Sequence, residues 1–510
     1  MPVPLSISGN FSGISFNEET ALQVPGNTWY GLEPNTFKDF GATFTTIART
    51  PIVSNRQLSR GTITDVDAKA DFNIDLTQRN LTRLLQGFFF ADIFEKPATQ
   101  PINGTQVPIT SVDVVAGNHY NAAANMPVFL VNQLVFAKNF GVAANNGLKN
   151  VTARTATILT VSNVLATEAA PPAAAQLEAV GYQFPAGDLV LSIVGATIVL
   201  TSASIDTSTL GLNVGEWMFV GGDAAGTQFA LNAPFYARIV GINGAAKTIT
   251  LDMTFKAVVA DAGAAKTVQI FFGKCLMNAV NPANIKRRTY TLERTLGNDG
   301  SGNQAEYVLG AVPNDLTLNI AKTSKVTVDL GFIGMNVQFN TGAVGLIAGT
   351  RVPVPGETAF NTSHDFAANF LGVLDPNNFN DAALFGFLSD IKLSIKNGVT
   401  PNKAIGVVGS FEANTGDFTV DGTATAYFST VAGAAAVKNN SDCAMTSILA
   451  KSNSGMIVDV PLLGLGGGAN KVEKDKPIEV DLTTSAAKCA AGYTMSWTFF
   501  EYLPTIAVPA

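Results

Sequence analysis

Charge is scarce in this chain: charged residues fill 14% of its 510 positions, against about 25% in typical globular domains. A surface so poor in charge is not all left facing water. Obligate assembly has that effect, because interface cores are depleted of charge. The net charge of −7 argues against a nucleic-acid binder, which needs a concentrated basic stripe. Histidine occurs twice; His119 and His364 each read as lying in a polar loop without a nearby cysteine or carboxylate pattern, and both read as surface residues. The three cysteines, Cys275, Cys443 and Cys489, are odd in number and far apart. They make neither a disulfide framework nor a metal knuckle, and read as small buried apolar residues. Long apolar runs are missing too. The richest, Leu189–Leu200, is too short to cross a bilayer and reads as one or two buried strands. The first residues, MPVPLSISGN, hold neither a basic region nor an apolar core, so no signal peptide is expected.

What is present is β patterning. Alternating Val, Thr and Ile segments between Gly, Asn and Pro punctuation predict a mainly β protein of two to four domains. One stretch organises the rest, Thr62–Phe90. From Val66 to Leu76 the alternation is strict, with Val66, Ala68, Ala70, Phe72, Ile74 and Leu76 on one side. Asp65, Asp67, Lys69, Asp71, Asn73 and Asp75 take the other. At ~3.3 Å per residue this strand runs roughly 35 Å. Its acidic front is either a solvated face or a functional acidic wall. The period then switches: Leu81, Leu84, Leu85 and Phe88 recur at helical spacing, with Thr77 or Asp75 available as N-cap.

Residues before this element read as loop-rich, with short strands such as Thr43–Ala48. After it, Pro127–Gly273 reads as an inserted β region of two similar small units, Phe129–Val161 and Leu212–Asp252, each with an Asn-Gly turn. The Ala/Pro-rich Ala166–Ala175 between them resembles a spacer. The first theme then returns. Leu316–Ile320 and Val326–Phe332 alternate, with Asp315, Thr317, Asn319, Lys325, Thr327 and Asp329 on the polar side, as in a second copy of the long-strand element. A short helix is predicted at Asp381–Leu388, and strands at Ile391–Ile395, Ala404–Phe411, Phe418–Phe428, Met456–Leu463, Ile478–Leu482 and Met495–Tyr502. Leu503–Ala510 reads as an unstructured tail or an arm.

The search for chemistry yields little. Gly464–Lys471 (GLGGGANK) lacks the Walker spacing, and Val472 stands where Ser or Thr belongs; it reads as a flexible connection. Asp299, Ser301 and Asn303 have the first spacings of a calcium loop, but Gln304 sits where Gly is required and Gly310 where the bidentate Glu belongs. A hairpin tip fits better. No catalytic residue, metal site or cofactor site is expected, and no membrane association.

The Thr62–Phe90 element, AANNGLKNVTA and VGEWMFVGG in the insert, IKRRTYTLERTL with EYVLGAVPNDLTLNIA and VTVDLGFIGM, and SDIKLSIKNGVTPNKAIGVVGSFEANTGDFTVDGTATAYF through MIVDVPLLGLGGG to TMSWTFFEYLP together resemble the major tail tube proteins of long-tailed, siphophage-type bacteriophages. The resemblance covers most of the chain. It implies a duplicated tail-tube fold, antiparallel sheets contributing to a β-barrel between subunits with a flanking helix, plus inserted small β domains. Residues 1–126 would be the first tube domain, 127–273 the insert, 274–503 the second tube domain and remaining strands, and 504–510 a tail.

The resemblance further implies homotrimeric, pseudo-hexameric rings stacked into a tube in the virion tail, assembled in the host cytoplasm. The tube would enclose the tape measure protein, meet tail terminator and distal tail proteins, and conduct genomic DNA without binding it. The lumen-lining candidates are Asp65, Asp67, Asp71, Asp75, Asp315 and Asp329. The inter-ring candidate is the loop Gly297, Asn298, Asp299, Gly300, Ser301, Gly302 and Asn303. The competing reading is a trimeric fibre, baseplate or surface-binding protein recognising host glycans through aromatics around Trp217, Phe235 and Tyr236. An oligosaccharide-active enzyme would need paired carboxylates in a cleft, and none can be named.

Overall fold

A computed structural model describes residues 7–509 apart from 53, 55, 56, 58, 116, 125, 127, 279, 280, 299, 301, 376, 379–382 and 429. The chain is mainly β, as its alternation predicts. It divides into two compact units. The first combines Met1–Ala91, Asn281–Thr362 and Ser389–Thr425; the second combines Asp92–Val280, Ser363–Leu388 and Ala426–Ala510.

In the first unit the organising strand is Gly61–Asp75. It pairs antiparallel with Pro34–Ala48 on one side and Thr327–Gly334 on the other. Thr327–Gly334 pairs in turn with Asn303–Ala321, and that strand with Leu388–Lys396. The element read as a second copy therefore lies directly beside the first, in one sheet. Its apolar back, from Val66 to Ile74 and from Leu316 to Phe332, is buried. Two-faced antiparallel strands bury one side and leave the other wet, so a polar front is the expected complement.

Helix Thr82–Phe89 covers that back. Phe88 meets Phe332 edge-on at 5.2 Å between ring centroids, and Phe332 stacks on Phe72 at 6.0 Å. Leu81, Leu84, Leu85 and Phe88 are all buried, as the spacing requires. Burying each is worth on the order of 1.5–3 kcal/mol. The helix sits close because residue 87 is glycine: a Cβ there would lie 2.7 Å from the Tyr290 ring and 2.9 Å from Pro313 Cγ. The expected cap is not formed. Leu81 holds the N-cap position without a side-chain bond. Asn80 instead accepts from the Thr77 amide and donates to the Asp75 carbonyl, closing the turn between strand and helix.

Several other expectations need correction. The first sixty residues carry long strands, Gly13–Ala21 and Pro34–Ala48 among them. Pro34–Ala48 was illegible because three register shifts break its period and most of its residues are exposed. Of the predicted helix Asp381–Leu388, residues 381 and 382 lie outside the described residues; the rest is not helical. A short helix forms instead at Ala432–Lys438, where a run of alanines gives no apolar stripe. Ala404–Phe411 is a loop, because Gly406 (φ +88°) and Gly409 (φ +89°) leave extended geometry.

The second unit contains a twelve-stranded sheet that takes in the inserted region and begins before it, with Ile109–Asp113 and His119–Ala122. It holds two cores. One gathers Tyr120, Phe129, Val151 and Leu177; the other gathers Tyr182, Leu200, Met218, Ile239 and Phe272. Strand Gln176–Gln183 serves both. Leu189–Leu200 spans the turn of the hairpin Leu189–Val194 and Thr197–Ser202, buried on one side only. Ala166–Ala175 is no free spacer: buried Glu168 accepts from the Gly141 amide and from Asn145, each at 2.8 Å. The rest of the unit is an antiparallel sheet built around Ser454–Lys471. The glycine run at 464–468 belongs to that strand and pairs with Glu479–Ala486, with a bulge at Gly467 (φ +76°). Residues after Leu503 pack down, and the Ala507 carbonyl accepts from the Tyr236 hydroxyl at 2.9 Å.

Buried ion networks tie the insert to the surrounding strands of this unit. Lys274 reaches Glu178 at 2.9 Å and Glu501 at 3.2 Å, and Lys138 reaches Glu501 at 2.6 Å. Lys96 and Glu216 pair at 2.7 Å with both side chains fully buried. Arg238 bridges Asp252 and Asp459. All three cysteines are free, with Cys275 and Cys443 buried.

Candidate functional site

The polar front of the first unit's sheet is where alternation concentrates chemistry. Strand register sets the rows. Asp71 stands opposite Asp39 on one neighbour and Gly331 on the other; Gly331 stands opposite Asp315, and Asp315 opposite Lys396. One residue pair along, Asn73 faces Asp329, which faces Thr317. All six predicted aspartates therefore come onto one face of one sheet.

Lysines complete the pattern. Lys403 reaches Asp65 and, at 2.6 Å, Asp67. Lys325 pairs with Asp75, and Lys38 with Asp329 at 2.8 Å. Asp329 also accepts from Asn73 and Asn319, each at 2.9 Å. Burial opposes its ionisation, yet hydrogen bonds from Lys38, Asn73 and Asn319 together hold its carboxyl below the usual range. The hydrogen bond from Lys403 likewise lowers Asp65, and Lys403 is raised by both its partners. Asp71 goes the other way: burial raises it first, then the nearby charge of Asp39 and, among smaller contributions, that of Asp315. The face is mildly acidic and laced with lysine, not a wall of free carboxylates. Lys325 was visible in the strand period. Lys403 arrives from a loop more than three hundred residues away and carried no periodic signal.

The pairing with Thr327–Gly334 stops at Ala68, so Gly61–Asp67 continues as an arm with Thr43–Ala48. The Gly297–Asn303 segment is a hairpin tip, as read; Asn298 pairs with Asn303, and Asp299 and Ser301 lie outside the described residues. Gly297, Gly300 and Gly302 all take positive φ, which a turn this tight needs. Gly300 donates its amide to Asn298 Oδ1 at 2.8 Å.

The histidines stand apart. His364 is exposed beside Asp365, whereas His119 is a strand residue, mostly buried beside Asp113. The aromatics proposed for sugar stacking are core: Trp217, Phe235 and Tyr236 are 0%, 2% and 9% exposed. Trp217 lies flat on Phe255 at 5.6 Å. A face already packed against protein cannot receive a sugar ring, so these three offer no glycan platform. Among the described residues no cluster of three or more His, Cys, Asp or Glu is placed to hold a metal ion. No helix among them is long and apolar enough to cross a membrane.

The first unit is thus a two-faced antiparallel sheet, polar in front and helix-backed behind. The family model described as phage tail tube protein matches residues 9–486, and the chain belongs to that family. No curated protein matches it. Membership makes the chain a structural component of a phage tail tube, located in the virion tail and self-associating into that tube.

Proposed function

We propose that the chain builds homotrimeric, pseudo-hexameric rings of two fused tube domains. The rings stack into a siphophage-type tail tube that encloses the tape measure protein and later conducts genomic DNA. Assembly takes place in the host cytoplasm, with tail terminator and distal tail proteins at the ends. The observation that carries this reading is the continuous polar front, with its apolar back sealed by helix Thr82–Phe89. Facing the lumen, that front suits DNA transit. A basic lining touching ~6–10 phosphates would retain DNA strongly, whereas a mildly acidic, internally paired one repels phosphate over about 8–10 Å at physiological salt. The duplication is supported by the two compact units, each built on an antiparallel sheet and each with a short helix, Thr82–Phe89 in the first and Ala432–Lys438 in the second. The 127–273 insert decorates the outside, and Gly297–Asn303 contacts the next ring.

Electron microscopy of tubes tests the reading. The expected result is hollow tubes of three-subunit rings with Asp67, Asp71 and Asp315 on the inner wall. Isolated trimers without a channel, or a channel lined by other residues, would refute it. Deleting 297–303 should leave folded subunits that do not polymerise.

A further inference from the structure

In the second unit, segment 94–98 carries Lys96 between two pinned ends. Phe94 exchanges backbone hydrogen bonds with Cys275, at 2.7 and 3.1 Å, and Ala98 forms an isolated bridge with Glu178. The Ala179 amide donates to the Pro97 carbonyl at 2.8 Å. Lys96 meets the turn that opens strand Trp217–Val220. There the Gly215 amide donates to the Ile239 carbonyl and the Ile239 amide to the Glu216 carbonyl, both at 2.8 Å. Both side chains are wholly out of water, and Lys96 Nζ lies 2.7 Å from Glu216 Oε2. Fixed backbone on both sides holds the pair in that approach.

The surroundings do not satisfy two full charges. Lys96 Nζ donates to the Gly211 carbonyl at 2.7 Å and lies 5.4 Å from the centre of the Phe272 ring. Glu216 Oε2 accepts from the Asn213 amide at 3.1 Å, whereas Oε1 is buried with no hydrogen-bond partner among the described residues. Burial pushes this carboxyl up, against the opposing pull of Lys96 and Asn213. A buried ion pair offsets its desolvation only when the remaining donors and lone pairs find partners, and an ammonium alone has three donors. An amide joining the two side chains has one N–H and one C=O, which the Gly211 carbonyl and the Asn213 amide match one for one.

We propose that Lys96 and Glu216 become joined by a self-formed isopeptide bond, Nζ to Cδ, once the second unit has folded. The step needs no other reactant. A proton on Nζ passes to the carboxylate along the 2.7 Å contact, leaving a neutral amine beside a neutral acid. The amine lone pair attacks Cδ, and one carboxyl oxygen leaves with a second Nζ proton as water. Two N–H bonds and one C–O bond break; one N–C bond and two O–H bonds form, and nothing is oxidised or reduced. A desolvated lysine is a competent nucleophile, and holding it against its electrophile replaces a bimolecular encounter. The link joins residues 120 apart in sequence and closes a loop in the unfolded chain, as a disulfide does. All three cysteines are free, so the brace comes from amide chemistry instead.

The test is the mass of the purified full chain, measured in denaturant, with sequencing of its proteolytic fragments. The expected result is a chain lighter than its sequence by one water, with a branched fragment joining Lys96 to Glu216. Lys96→Met/Glu216→Met removes both charges together and keeps the core filled; it is expected at its full sequence mass. The native chain should also run ahead of this variant on a denaturing gel, because the closed loop keeps it compact. A native chain at full sequence mass overturns the proposal and leaves an ion pair. Loss of water with the branch at other residues, or loss that persists in the double variant, overturns it as well. Should the double variant fail to fold, the native mass and fragment map decide alone. None of these outcomes bears on the tube reading.

Discussion

Asp71 and Asp315 face each other across Gly331, where an added Cβ would lie 3.1 Å from Asp71 Oδ1 and 3.5 Å from Asp315 Cβ. The missing side chain lets two carboxylates share one row of the polar front, with Asp39 on the far side of Asp71.

That crowding has a pH signature. Burial, then Asp39, then the smaller push of Asp315 raise the Asp71 carboxyl above its ordinary range. A carboxyl raised in the fold favours the protonated folded state, so its ionisation lowers stability as pH climbs past the unfolded value of about 3.9. Asp71→Asn should therefore melt higher than the native chain at pH 7, and the gap should close below about pH 4. Melting curves across that window check it; a gap independent of pH contradicts the assignment.

Gly87 lets the helix lie on its sheet. Gly87→Val should cost about 1–3 kcal/mol through overpacking against Tyr290 and Pro313. Gly87→Ala is the sharper comparison, because helix propensity alone would favour alanine by ~1 kcal/mol. Denaturant unfolding should show a net loss even so.

The buried four-residue ion network should respond asymmetrically. Lys274→Met leaves Glu178 and Glu501 sharing Lys138, and should cost about 3–5 kcal/mol. Adding Glu501→Gln should recover part of that loss, since it removes one uncompensated buried charge. Unfolding free energies of the single and double variants decide; simple additivity would contradict the coupling.

Lys403→Ala frees the exposed loop from the arm. Its partners are partly solvent-exposed, so the cost in global stability should stay within about 1 kcal/mol. Amide exchange at 403–408 should accelerate while exchange in Gly61–Asp75 beyond Ala68 stays slow. Equal protection in both chains would show that the ion pairs do not hold the loop.

Thiol reactivity should order the cysteines. Cys489 is partly exposed, and burial pushes the Cys443 thiol up to about 11 and Cys275 higher still. A maleimide at pH 7 should label Cys489 alone in the folded chain, with the other two reacting only in denaturant, as intact mass measurement would show.

Alternation by itself determined the long strand, its two faces, the helix that follows and the mainly β class, because a period of two or of 3.6 acts on neighbouring residues in sequence. The six aspartates of the polar front were legible for the same reason. Tertiary structure alone decided the rest. It placed Thr327–Gly334 beside Gly61–Asp75, brought Lys403 onto Asp65 and Asp67, turned Ala404–Phe411 into an exposed loop, and buried Trp217 and Tyr236 in a core. Each depends on which distant strand supplies the next hydrogen-bond ladder or covering face, and local period carries no record of that choice.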